Sequence, residues 1–284
     1  MLNALIVVWR ESLEAMLVVG VLLAWIARQE DAPRLRRTLW SGVAGGTLLA
    51  VALAFLAYGA QTWLDGEALE LFQVGMLLLA CVLMTQMVMW MRRHGASMKR
   101  ELEAGASRAA ETGGRLGVAL VAALAIGREG METVVFLYGM AAERPAGELL
   151  GVYGMAALGF AIAALTAWAV ARGSRFFSYR TVFRISEIVL LVTAGALLGA
   201  AVDRLIGIDR LPTLIDLVWD SSGLLNDGSG AGQILALFAG YRAQPTGMLL
   251  LAYGLYWGYV ALRLKSFTPN IPVRAESCQP KAVP

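Results

Sequence analysis

The chain has 284 residues, of which 58% are hydrophobic and 16% charged, with a formal net charge of +3. A soluble globular protein carries about a quarter charged residues, so this balance excludes an ordinary water-soluble domain and marks an all-α, polytopic membrane protein. Two cysteines and one histidine leave little for disulfide or imidazole chemistry, and the want of a basic surface module excludes nucleic acid as a partner.

In chain order, the first apolar stretch covers about residues 3–27 and is interrupted by Arg10-Glu11-Ser12-Leu13-Glu14. A cleavable leader needs an unbroken apolar run there, so the stretch is expected to persist as the first span. Spans are expected next at about 39–59 and 70–91, the latter carrying Met76, Met84, Met87, Met89 and Met91. Thioethers suit a soft metal, but methionines of mixed facing read as packing material. Residues 92–115 are polar, with Glu101, Glu103 and Glu111 among Lys99, Arg100 and Arg108, and read as a short amphipathic or mobile connector.

The fourth span, about 116–140, carries Arg128-Glu129-Gly130-Met131-Glu132. Spans five and six follow at about 149–171 and 183–203, and the sixth opens with Arg184-Ile185-Ser186-Glu187. Glu187 reads either as the partner of Arg184 or as a ligand along an ion path. The long connection 204–246 holds Asp209, Asp216, Asp220 and Asp227. These are a cation-collecting rim or ordinary solvated acids. Residues 211–219, with Pro212 near the start, suggest an interfacial helix; the apolar piece 234–238 is too short to span. A seventh span is expected at about 247–264, and 266–284 form a tail. Tyr241, Trp257 and Tyr259 read as interface anchors, as do Tyr138 and Tyr153.

Basic residues divide unevenly among the connections. Eighteen Lys and Arg fall in 28–38, 92–115, 172–184 and the tail, against Arg144, Arg204, Arg210 and Arg242 on the other side. The positive-inside rule then places the amino terminus outside and the carboxyl terminus in the cytoplasm. Spans one and four therefore run in opposite directions although both carry Arg-Glu-x-x-Glu. Two inverted three-helix repeats, about 3–91 and 116–203, plus a seventh helix follow from this, with the matched motifs meeting near the bilayer midplane.

The motif spacing has chemical content. Glu11 and Glu14 are three apart, and Arg10 and Glu14 four apart, so they share one side of a helix, as do Glu129, Glu132 and Arg128. Charged groups in hydrocarbon cost several kcal/mol, so two such sets are functional candidates. Convergence of Glu11, Glu14, Glu129 and Glu132 builds an oxygen cage suited to a hard, multivalent cation. Arg10 and Arg128 offset part of the mutual repulsion. The competing reading is an internal ion-pair network that locks two helices. Proton-coupled transport without metal is another, while di-iron enzyme chemistry lacks the expected Glu-x-x-His segments.

At these two motifs the sequence resembles the oxidase-dependent iron permeases, the family of fungal high-affinity iron permeases and bacterial EfeU-like transporters. The resemblance runs from Met1 to about Lys265 and includes Trp219-Asp220-Ser221-Ser222 and Gly240-Tyr241. Ser12 stands where the family has glycine, and Met131 where it has leucine, neither altering a proposed ligand. The resemblance implies a permease domain over 1–265 and passage of ferric iron across a bacterial inner membrane through Glu11, Glu14, Glu129 and Glu132. Arg10 and Arg128 are the implied motif partners, and an outer acidic contribution is carried to Asp220, while Glu187 and Asp216 stay candidates for the path. Iron is then cargo, with no permanently bound cofactor; ferrous iron or another divalent cation is the alternative cargo. A periplasmic iron-binding protein and a haem peroxidase or oxidase are the implied partners, besides the lipid bilayer and a second copy of the chain.

Overall fold

In hydrocarbon a segment must satisfy its backbone hydrogen bonds internally, so the apolar runs are expected as helices. The computed structural model describes residues 2–94, 98–142, 144, 146–172, 179–227 and 230–266. Its helices are α1 (Leu2–Ile26), α2 (Ala32–Trp63), α3 (Gly66–His94), α4 (Met98–Ala142), α5 (Leu149–Ala171), α6 (Tyr179–Gly207), α7 (Gly230–Ala239) and α8 (Gly247–Lys265), with one 3-10 turn at Ala146–Glu148. The architecture is all-α. The tail 267–284, the side chain of Arg184 and residues 228–229 of the Gly-rich turn lie outside the described residues.

Helices α2, α3, α5, α6 and α8 are long and apolar enough to cross a membrane. Helix α1 has 25 residues, about 37 Å at the α-helical rise, which also exceeds a bilayer core. Charge rather than length sets α1 and α4 apart, since each holds three motif charges in its apolar run. Apolar side chains cover the outer surface of α2 and α8, including Leu48, Phe55, Leu56, Leu255 and Leu262. Such a face is stable against lipid and unfavourable in water.

The helices interlock in crossed pairs. Helix α2 packs chiefly on α4 and α5 on α1, while α3 lies along α6, and α1 and α4 meet in the middle. Small residues make the close crossings possible, as is usual where lipid supplies no hydrophobic drive between helices. A Cβ on Gly46 would stand 2.6 Å from the Ala123 carbonyl oxygen and 2.8 Å from Gly127 N. Gly42 approaches Ala119 in the same way, and Gly159 of α5 lies against the backbone of Leu5. One core cluster joins α1, α3, α4, α6 and α8 around Leu77, Met84, Phe136 and Leu190. A second joins the last turns of α1 to α2 and α4 through Leu22, Trp25, Leu39, Ala106 and Val118.

Two expectations change. Residues 98–113 are helical rather than a short connector, and they form the first part of α4. The helix breaks at Gly114, whose φ of 56° and ψ of −134° suit a residue without a side chain. The chain doubles back there, because Gly117 lies against the Ala109 carbonyl. The resulting arm is pinned by the buried Ala106 and by Trp25 Nε1 donating to Ser107 Oγ at 3.1 Å.

The second change concerns 211–219, which is not helical. Its backbone bonds to the approach to α8 instead. Val218 N donates to Pro245 O, Gly247 N to Ile215 O and Met248 N to Thr213 O, and Leu214 takes a positive φ of 61°. The 234–238 piece forms part of α7, a 10-residue helix.

Candidate functional site

One turn of α1 places Arg10, Glu11 and Glu14 on the side facing α4, and one turn of α4 returns Arg128, Glu129 and Glu132. Burial is nearly complete on α1, with Arg10 and Glu11 each 1% exposed and Glu14 5%; Glu129 and Glu132 are 8% and 5% exposed. Carboxylate oxygens of Glu11, Glu129 and Glu132 all lie within 4.8 Å of one another. Among the described residues this is the one group of acids, cysteines or histidines so placed.

The helices cross antiparallel. Asn3 and Met140 line a small cavity at one end, Glu11 meets Glu132 in the middle, and Val18 lines a second cavity with Val121 and Ala125. Each guanidinium pairs within its own helix. Arg10 Nε is 3.1 Å from Glu14 Oε1 and Arg10 Nη1 is 3.6 Å from Glu11 Oε1. Arg128 Nε donates to Glu132 Oε1 at 2.8 Å. These contacts leave acceptor capacity unused: both oxygens of Glu11, Oε2 of Glu129 and Oε2 of Glu132 are buried without a hydrogen-bond partner. Buried polar atoms cost free energy when unpaired, and three carboxylates with oxygens within 4.8 Å of one another could hold a cation. An all-oxygen set accepts a hard or borderline divalent ion.

Glu14 belongs to the cluster differently from the other three. It holds Arg10 and lines the cavity of about 260 Å³ that also touches Trp90, Glu101, Leu102, Arg128 and Glu129. Two neighbours of the site come from the end of α3, where the sequence offered no motif. Met91 Sδ accepts from Arg10 Nη2 at 2.8 Å, and Trp90 lies 5.3 Å beneath the Arg128 guanidinium. Of the remaining methionines, Met84, Met87 and Met89 are buried packing residues.

The other candidate acids stand apart from this group. Glu187 accepts from Arg92 Nε at 2.9 Å, joining α6 to α3. Asp216 accepts from Thr213 Oγ1. Asp220 accepts from Ser222 N at 2.9 Å, Ser222 Oγ at 2.6 Å and Gln244 Nε2 at 2.9 Å, so its carboxylate ties together the loop preceding α8. The Ser222 hydroxyl, then its N–H, then Gln244 hold this carboxyl below the usual aspartate range. Asp203 pairs with Arg242, and Asp227 accepts from Ala243 N. Tyr241 is a loop pin, bonded to Ser221 and the Leu225 carbonyl.

A multi-pass helical bundle with a buried carboxylate cluster between two crossing helices defines a membrane transporter of cations. The chain belongs to the iron permease FTR1 family, whose pattern it matches over residues 1–271, so it is a permease and iron is its cargo rather than a resident cofactor. It is 27% identical over 253 residues to the ferrous iron permease EfeU of Yersinia pestis, covering 88% of each chain. It is 26% identical over 248 residues to the ferrous iron permease EfeU of Escherichia coli O6:H1, covering 85% of this chain and 87% of that one. An uncharacterized protein of Archaeoglobus fulgidus is 30% identical over 275 residues, 93% of each. No solved structure matches the chain.

These relatives correct one expectation. The resemblance to oxidase-dependent permeases implied ferric cargo, whereas the bacterial relatives are named for ferrous iron.

Proposed function

We propose that the chain carries ferrous iron, or a divalent cation of similar chemistry, across the bilayer through the glutamates of its two motifs. The observation that carries this reading is the meeting of Glu11, Glu129 and Glu132 oxygens within 4.8 Å. Charge supports the oxidation state: four motif carboxylates against two guanidiniums leave a nominal two negative charges, which one divalent ion cancels. A trivalent ion would exceed that balance and would be held as in a trap, because Coulomb attraction in a poorly screened interior is strong.

In this reading Glu11, Glu129 and Glu132 form the ligand set, Glu14 completes it from the inner side, and Arg10 and Arg128 hold the rotamers of the unloaded site. The spanning helices are α1, α2, α3, residues 115–142 of α4, α5, α6 and α8. The crossed pairing of α2 with α4 and of α5 with α1 supports two inverted units over about 3–91 and 116–203, with 247–264 as the seventh helix. Exchange of one unit for the other maps each of these contacts onto its counterpart. The charge asymmetry supports an external amino terminus and a cytoplasmic tail from 266. Any redox step on iron belongs to a separate periplasmic iron-binding, peroxidase or oxidase partner.

Anaerobic uptake of radiolabelled ferrous iron into proteoliposomes tests the proposal. Wild type accumulates the ion, and Glu11→Gln and Glu132→Gln lower both uptake and equilibrium affinity by about tenfold or more. Unaltered uptake and binding in those variants would overturn it.

A further inference from the structure

Below the cluster, on the side where α1 ends, the cavity of about 260 Å³ is walled by Glu14, Glu129, Arg128 and Trp90 and floored by Glu101, Leu102 and Gly105 of the folded-back arm. Two of its walls are already acidic and almost fully buried, with Glu14 5% and Glu129 8% exposed, and Glu129 Oε2 has no hydrogen-bond partner. The arm contributes a third carboxylate, from an exposed position at its beginning. Its attachment is light: a buried Ala106, a partly buried Leu102, the Trp25–Ser107 hydrogen bond and an Arg28–Glu103 pair at 3.5 Å. It joins the spanning part of α4 through consecutive glycines, Gly113 and Gly114, the second with positive φ.

Resting on the cation-transport reading, the geometry points to this cavity as a second cation station in which Glu101 receives the divalent ion from Glu14 and Glu129, the arm 98–113 forming its inner door. Glu129 faces both compartments. It is within reach of Glu11 and Glu132 above and lines the cavity below, so an ion can change partners there without ever losing a carboxylate. Arg128 borders the same cavity while bonded to Glu132. Its positive charge weakens the lower station and favours onward release. Opening requires that Leu102 and Ala106 leave their contacts, that the Trp25–Ser107 and Arg28–Glu103 interactions release, and that the arm swing at the glycine pair.

The test uses the full chain, with two readouts and two kinds of variant. Glu101→Gln is expected to keep equilibrium ferrous-iron binding at the upper cluster within about twofold while lowering uptake into proteoliposomes about tenfold or more. Glu111→Gln, on the same arm but away from the cavity, keeps both. A Trp25→Cys/Ser107→Cys pair in a Cys278→Ser background, bridged by a bifunctional thiosulfonate, is expected to stop uptake until a thiol reductant is added, with binding unchanged. Wild-type uptake by Glu101→Gln, or by the bridged protein, overturns the lower station and its door. Loss of binding in Glu101→Gln would instead place that carboxylate in the upper cluster and also overturn the proposal. If wild type itself neither binds nor transports ferrous iron, the underlying transport reading has failed, a result distinct from the others because it appears without any substitution.

Discussion

Arg128 donates to Glu132 at 2.8 Å while its own side chain is 45% exposed, whereas its counterpart Arg10 is 1% exposed between Glu11 and Glu14. The two halves of the site are thus matched in residue type and unequal in environment. The cavity lined by Glu14, Trp90 and Glu129 lies beside Arg128.

That inequality makes the two arginines respond differently to removal. Taking one partner from a buried charge group leaves the rest uncompensated, at about 3–5 kcal/mol, so Arg10→Ala is expected to yield an unstable protein with a sharply lowered melting temperature. Arg128→Ala, at a half-exposed position where water and the cavity can screen the carboxylate, is expected to remain folded with a shift smaller by at least half. Thermal melts in detergent check this, and equal destabilisation of the two would show that the halves are equivalent.

Within the ligand set, the three converging carboxylates differ from Glu14. Glu11→Gln, Glu129→Gln and Glu132→Gln each remove a charged oxygen from the group that meets within 4.8 Å, and ferrous-iron affinity is expected to fall by tenfold or more, about 1.4 kcal/mol per decade. Glu14→Gln leaves that group intact but loosens Arg10, so the larger effect is expected on uptake rate, with a smaller change in affinity. Titration of the purified protein under anaerobic conditions separates the two patterns.

The long apolar helices and the motifs were legible in the sequence because both rest on local signals: apolar length for the first, and carboxylates three residues apart in an apolar run for the second. The 149–171 span, for example, is bounded as expected. What lay outside that reach depends on partners distant in the chain. Pro212 suggests a helix start, yet the carbonyls of Thr213 and Ile215 are claimed by N–H groups at the beginning of α8. The arm at 98–113 is polar enough to pass for a connector; only its packing against Trp25 and Leu22, together with the Gly114 reversal, makes it a structural element. Trp90 and Met91 touch the site from α3, and no spacing rule points from them to Arg10 or Arg128.

The crossing of α2 over α4 gives a prediction far from any charge. Gly46→Val places branched carbons where a Cβ alone would stand 2.6 Å from the Ala123 carbonyl oxygen, and forcing volume into such a contact costs about 1–3 kcal/mol. Because Glu129 lies on α4 less than one turn beyond Gly127, the displaced helix also misplaces a ligand. Gly46→Val is therefore expected to lose both melting temperature and iron affinity. Gly20→Ala, at a position with open space around it, leaves both unchanged. Loss of stability with full affinity would show that α2 supports the bundle without positioning the site.

The Arg92–Glu187 pair at 2.9 Å joins the ends of α3 and α6, and with side chains 31% and 13% exposed it stands between a surface pair and a buried one. Surface pairs contribute about 0–1 kcal/mol, so a purely structural role predicts little change on substitution. If the pair instead restrains the inner ends of these two helices during transport, Glu187→Gln and Arg92→Gln are expected to alter uptake in the same direction while leaving equilibrium ferrous-iron affinity unchanged. The exchange Arg92→Glu/Glu187→Arg then restores the wild-type rate, because it rebuilds the attraction with the charges reversed. A direct ligand role for Glu187 would give another pattern: affinity falls in Glu187→Gln, and the exchange does not rescue it, since an arginine at 187 repels the ion. Measuring affinity and uptake in all four proteins distinguishes restraint from ligation, and unchanged values throughout would assign the pair to stability alone.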